Sequence, residues 1–195
     1  MTRRNVVAVS AACLFAMLLS AAACAAAIDP AASSIGFTLK TRWGKTLVGD
    51  FPRYEGEIAA LPDGRHQVRL RLSARDVEIA GSSSFTRLTR GDGFFEADRF
   101  PRVEYISDPY PATLTRDGGR LGGVVTIRGV QRREVFMIRP AVCERPGIEC
   151  DVVASGSINR NDYGVDRWGF ALSSRVVFTL RVRTAPDAAG TGSGA

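Results

Sequence analysis

The 195-residue chain is 45% hydrophobic and 24% charged, long enough to bury one core and too short for most two-domain plans. Its net charge of +6 rests almost wholly on arginine, since Lys40 and Lys45 are the only lysines among 26 basic residues. The single histidine, His66, excludes metal sites with two or more His ligands, and any Ser–His or Cys–His catalyst has to use it.

The first residues read as an export signal. Arg3 and Arg4 precede an apolar run from Val6 to Leu19, and a small-residue stretch ends in Ala25-Ala26-Ala27, an A-x-A-like cleavage site before Ile28. A membrane anchor counted from Val6 to Ile28 is the rival reading. Lipidation at Cys24 is the other, although Ala21 stands where a lipobox needs a large aliphatic residue. Cleavage after Ala27 removes Arg3, Arg4, Cys13 and Cys24, which lowers the net charge to +4 and leaves Cys143 and Cys150. An even pair in an exported protein favours a disulfide, with Pro146-Gly147 as the turn of a stapled hairpin. So short a loop makes the stabilisation modest, roughly 2 kcal/mol.

From Ile28 to Arg183 period-2 alternation dominates. Ile35, Phe37 and Leu39 alternate with polar or small residues, as do Val68, Leu70 and Leu72, and each set predicts a strand with one buried face. Further strands are expected at 47–50, 54–59, 102–107, 112–115, 124–128, 135–140, 152–159 and 174–182. Turn signals at Pro62-Asp63-Gly64, Asp117-Gly118-Gly119, Pro146-Gly147 and Asn161 to Gly164 separate them. Turns about ten residues apart predict an antiparallel sandwich or barrel, in one domain. Residues 81–101 break the rhythm: Ser82 or Ser83 caps a short helix carrying Phe85 and Leu88 on one side. Phe94, Phe95 and Phe100 then crowd a connection, as a lid that plugs one barrel end or gates a ligand. Residues 184–195, rich in Ala, Gly and Thr, read as a disordered tail.

Catalytic patterns are missing from this sequence. No G-x-S-x-G elbow, H-E-x-x-H, Walker A loop or EF-hand loop occurs, and His66 follows a turn as a solvent-facing residue. Asp92, Glu96 and Asp98 sit between Arg90 and Arg99 and read as a solvated, locally paired surface. The arginines are scattered over outward strand positions such as Arg69 and Arg71, with Arg132-Arg133 as one strong doublet, which argues against nucleic acid. What remains is the barrel interior, which side chains can fill or which can hold one small ligand.

Four ordered segments carry a family resemblance: I-D-P-A-A-S-S-I-G-F from Ile28, F-F-E-A-D-R-F-P from Phe94 with Val103 and Tyr105 beyond it, G-V-V-T-I-R-G-V from Gly123, and S-I-N-R-N-D-Y-G from Ser157. Together they make the chain resemble the YceI-like family of exported lipid- or polyisoprenoid-binding proteins. The resemblance implies an all-β, lipocalin-like, eight-stranded antiparallel barrel over residues 28–183 with a short helix and lid. It also implies non-catalytic periplasmic binding, sequestration or transport of a polyisoprenoid or similar long-chain lipid, with no cofactor. Two departures stand out, at Arg132-Arg133-Glu134 and at the Cys143–Cys150 hairpin, and neither is expected to touch the cavity wall. The expected ligand-lining residues are Phe37, Leu39, Val68, Leu70, Leu72, Val103, Tyr105, Val125 and Ile127, with Phe85, Phe94 and Phe95 at one end. Transient contact with a membrane surface and a homodimer are both compatible with this reading. The alternative is a solid barrel serving as a scaffold whose Arg-rich outer face binds a partner.

Overall fold

The computed structural model describes residues 25–185; the expected leader as far as Cys24 and the expected tail from Pro186 onward lie outside the described residues. Twelve strands form one sheet: β1 (Ala25–Ala27), β2 (Ser34–Thr41), β3 (Thr46–Asp50), β4 (Tyr54–Ala60), β5 (Arg65–Ser73), β6 (Glu78–Ile79), β7 (Arg102–Ser107), β8 (Tyr110–Pro111), β9 (Gly119–Ile127), β10 (Val130–Ile138), β11 (Val152–Asn159) and β12 (Leu172–Val182). The order is β1-β4-β5-β7-β9-β10-β11-β12-β2-β3-β6, with β8 also on β5, and each ladder between these strands is antiparallel.

The sheet curls on itself because one stretch of chain serves both of its ends. β3 pairs with β2, and after the bend at Phe51-Pro52-Arg53 the same chain continues as β4, which pairs with β5. Proline has no N–H to offer a ladder, so Pro52 suits the point where the chain leaves one neighbour for the other. Counted as one bent strand, β3 and β4 join β2, β5, β7, β9, β10, β11 and β12 in an eight-membered ring. Alternation then sends one parity inward. Ile35, Phe37 and Leu39 on β2 are buried, as are Leu70 and Leu72 on β5 and Val125 and Ile127 on β9.

Several elements differ from expectation. The strand expected at 112–115 is instead the two-residue β8 followed by a helical turn at Leu114–Asp117. Pro111 curtails pairing there, and Thr115 Oγ1 turns back to donate to the Ala112 carbonyl at 3.1 Å. β10 starts at Val130, five residues early, because Arg128 and Gly129 (φ 52° and 76°) make a two-residue hairpin turn that continues its ladder to β9. β1 precedes the expected cleavage point at Ala27, and pairs Ala25 to Ala27 with Ala59 to Glu57. At the other end, Thr184 and Ala185 do not belong to a loose tail. The Thr184 amide donates to the Gly147 carbonyl and the Ala185 amide to that of Ala27, each at 2.8 Å.

The expected helix is present as α1 (Ser83–Arg90), where Ser82 Oγ accepts from the Phe85 amide at 3.2 Å. The lid after it packs inward. Phe95 lies 5.8 Å from Phe51 and 6.4 Å from Phe37, ring centre to ring centre. Of the acidic cluster, Glu96 is paired with Arg128 at 2.9 Å and Arg99 at 3.6 Å, while Asp92 is paired with Arg167. Arg90, expected among these partners, instead donates to the Val77 carbonyl at 2.9 Å.

Candidate functional site

The barrel is not solid. A cavity of about 730 Å³ occupies the end where residues 26–29 and 182–185 lie, the terminal end of the described chain, and a second of about 190 Å³ lies toward α1. Ile158 and Phe178 belong to both walls and mark the partition between them. The first cavity falls within the range of about 300–1,000 Å³ typical of ligand pockets.

The twelve expected lining residues divide evenly between the two spaces. Val68, Leu70, Leu72, Val103, Tyr105 and Val125 line the large cavity. Phe37, Leu39, Phe85, Phe94, Phe95 and Ile127 line the small one, where Phe85 stands at the rim, 38% exposed. Between the two spaces the chain builds a partition that includes aromatic rings. Phe37 packs between Phe51 at 5.6 Å and Phe178 at 5.8 Å, on the small-cavity side of that partition.

Much of the large cavity's wall comes from residues that the sequence reading passed over: Ile35, Phe136, Ile138, Ala154, Leu180 and Val182. The signal for them was present. Phe136 and Ile138, and likewise Phe178, Leu180 and Val182, share one parity on strands that were themselves expected. Phe136 meets Tyr105 edge-on with ring centres 5.1 Å apart. The Tyr105 hydroxyl donates to the Gly122 carbonyl at 3.3 Å, and burial holds its pKa above the usual phenol range. Burial also pushes Tyr110 up to about 12, so its O–H stays a donor at any physiological pH.

Polar groups collect toward the terminal end. His66 is not the free turn residue expected: it lies within β5, half-buried, edge-to-face with Tyr110 at 6.0 Å, on the cavity wall. Asp29, Thr115 and Arg183 join it. Arg183 is held from two sides, its side chain on Asp151 at 2.7 Å and its amide on Ser33 Oγ at 2.8 Å. The Arg183 guanidinium in turn holds the Asp151 carboxyl below its ordinary pKa.

The disulfide joins Cys143 to Cys150, with Cα atoms 6.1 Å apart. Its loop was expected to stay clear of the cavity, yet Pro146, Gly147 and Ile148 form part of the wall. The reason is long-range pairing: the Gly147 carbonyl accepts from both the amide and the hydroxyl of Thr184, which ties the loop to the end of β12. Arg132 and Arg133 do stay outside. They are engaged by the Asp162 carbonyl at 3.2 Å and by Asp108 at 2.6 Å.

Comparison with known proteins agrees with this architecture. The family model described as the YceI-like domain matches residues 27–184. Among solved structures, Burkholderia cenocepacia BcnA superposes with a TM-score of 0.66 at 16% identity, covering 82% of this chain and 99% of that one. A polyisoprenoid binding domain from Saccharophagus degradans gives 0.62 at 13% identity, covering 85% and 100%. The Campylobacter jejuni YceI protein gives 0.54 at 18% identity, covering 71% and 85%. No curated protein sequence matches the chain. With the model spanning almost all of the described barrel, the chain belongs to the YceI-like family.

Proposed function

We propose that the protein holds a long-chain, mainly hydrocarbon lipid, a polyisoprenoid or a close relative, inside the large cavity, binding it without chemical change in an exported, periplasmic setting. The observation that carries this reading is the cavity of about 730 Å³ with its predominantly aliphatic and aromatic wall. Each methylene buried there contributes about 0.8 kcal/mol, so a long chain is retained with few polar contacts. The polar residues gathered toward the terminal end, His66, Tyr110 and Thr115, suit a small head group there. The family match and the polyisoprenoid-binding domain among the structural neighbours support the ligand class. The disulfide and the leader-like first residues support export.

Native mass spectrometry of protein purified from its own cells tests the reading, with Ala154→Phe as the paired variant. Ala154 lies on the cavity wall with Ile138 and Leu180 opposite it on the neighbouring strands. A phenyl group there occupies the space a lipid needs without removing any buried contact. A co-purifying lipid in the parent, absent from a folded Ala154→Phe, is the expected result. A parent that carries no lipid and takes up no solanesol delivered from detergent overturns the proposal.

A further inference from the structure

The end of the barrel away from residues 26–29 and 182–185 exposes large apolar side chains in a concentration that a stable soluble surface does not need. Trp43 is 77% exposed, Phe170 72% and Leu88 44%. They come from three separate segments: the β2–β3 turn, the loop before β12, and α1. Two of these segments are fastened together. The Arg42 amide donates to the Ala171 carbonyl at 2.8 Å, and its guanidinium donates to the Gly169 carbonyl at 3.0 Å. The aromatic tips are therefore held out by backbone-level bonds, not left loose.

Unpaired cations lie beside them. Lys40 and Lys45, the only lysines in the sequence, flank Trp43, and Arg87 lies on α1. Among the described residues none of these three has a carboxylate within ion-pair distance, and Lys45 lies 6.0 Å over the Phe85 ring. Asp92, two residues after α1, is paired with Arg167, and Asp166 precedes Phe170 in its loop. The terminal end differs: its exposed Val142 and Ile148 are accompanied by Arg145, which is already paired with Glu149 at 2.7 Å. Exposed Trp and Phe beside unpaired Lys and Arg fit the interface of an anionic bilayer, where amphipathic rings sit at head-group depth and cations meet lipid phosphates.

From this juxtaposition we infer that the Trp43–Phe170 end is a docking surface for anionic phospholipid membranes. Docking there stands the barrel on the bilayer with the large cavity's terminal end directed away. The inference goes beyond lipid carriage, because it concerns a surface outside the large cavity.

Co-sedimentation with vesicles tests it, using phosphatidylcholine alone and phosphatidylcholine mixed with an equal share of phosphatidylglycerol. The parent should sediment with the anionic vesicles only, and its tryptophan emission should shift to the blue. Trp43→Ser with Phe170→Ser should lower the bound fraction by at least about tenfold. Lys40→Glu with Lys45→Glu should do so by about tenfold and abolish the preference for the anionic lipid. All four positions are exposed, so unchanged circular dichroism and melting confirm folding. A parent that fails to sediment, variants that sediment like the parent, or a dimer in solution that Phe170→Ser dissolves would each overturn the inference. Uptake of solanesol from detergent by Lys40→Glu with Lys45→Glu separates the two ideas. Uptake without sedimentation of the parent removes the docking surface and leaves the carrier reading standing.

Discussion

Arg160 is the residue on which the small-cavity end depends most heavily. It is 3% exposed, follows β11 and is bonded to no carboxylate; its guanidinium donates to the carbonyls of Ser173 at 3.0 Å, Leu172 at 3.3 Å and Val165. Those three acceptors lie on the start of β12 and on the loop that leads to Trp168 and Phe170, so one planar fork gathers both. Burial lowers the Arg160 pKa, the mark of a cation held at a cost in hydration. Replacement by Met keeps most of the stem's volume and removes all the donors. Leaving buried acceptors unmade costs about 1–3 kcal/mol each, and relief of the buried charge offsets part of the sum, so the net loss is about 2–4 kcal/mol. For a chain of this size that lowers Tm by about 5–15 °C. Arg160→Lys, a point charge without the fork, should lose nearly as much. Urea and thermal unfolding followed by circular dichroism measure the effect. A loss below about 1 kcal/mol for Arg160→Met would show that the loop is held by packing alone, and would refute the assignment.

Three further outcomes follow from the same geometry. Reducing the Cys143–Cys150 bond, or replacing both residues by Ser, should cost roughly 2 kcal/mol in stability and speed the release of bound lipid, because the freed loop carries Pro146 to Ile148 away from the cavity wall; stopped-flow transfer to acceptor vesicles reads the rate. Gly49→Ala should destabilise by about 1–3 kcal/mol, since a Cβ there would lie 2.3 Å from the Phe37 ring, and a thermal melt checks it. Tyr105, Tyr110 and Tyr163 all have pKa values raised chiefly by burial, Tyr110 to about 12. Their folded pKa values exceed the unfolded one, so stability holds below about pH 10 and falls above it by up to about 1.4 kcal/mol per pH unit for each tyrosine, as the unfolded chain alone ionises. The phenolate absorbance of these three tyrosines should accordingly rise together with unfolding and not before it.

The strands were legible because alternation is a local property. The Arg102–Ser107 and Val152–Asn159 strands needed nothing beyond period-2 patterning, and Ser82 announced α1 through its capping role. The cysteine spacing likewise pointed to the disulfide. What the loop does was not legible, because it depends on Gly147 meeting Thr184, 37 positions away. His66 was misplaced for a similar reason: the turn before it was correct, but the neighbouring β8 that covers it is too short to show a pattern. The two cavities were hidden as well. Phe37, Val68 and Ile127 obey the same inward parity, and nothing in parity tells which end of a strand an inward residue will face.

Closure of the sheet and division of its interior are one structural event. The bend that lets β3 and β4 serve opposite edges is occupied by Phe51, 1% exposed, and Phe51 lies against both Phe37 and Phe95. Bringing the two edges together therefore drives an aromatic ring into the barrel beside the ring that Gly49 leaves room for. The lid adds Phe95 and β12 adds Phe178, so the rings fill the volume nearest the bend. Beyond Phe178 the β12 wall continues as Leu180 and Val182, facing Ala154 and Val152 across the β11 ladder, side chains too small to meet across the barrel. An eight-stranded ring can be filled by side chains or hold one ligand. This chain leaves about 730 Å³ open at one end and only about 190 Å³ at the other, and the aromatic cluster built around the strand bend sets where the larger space stops.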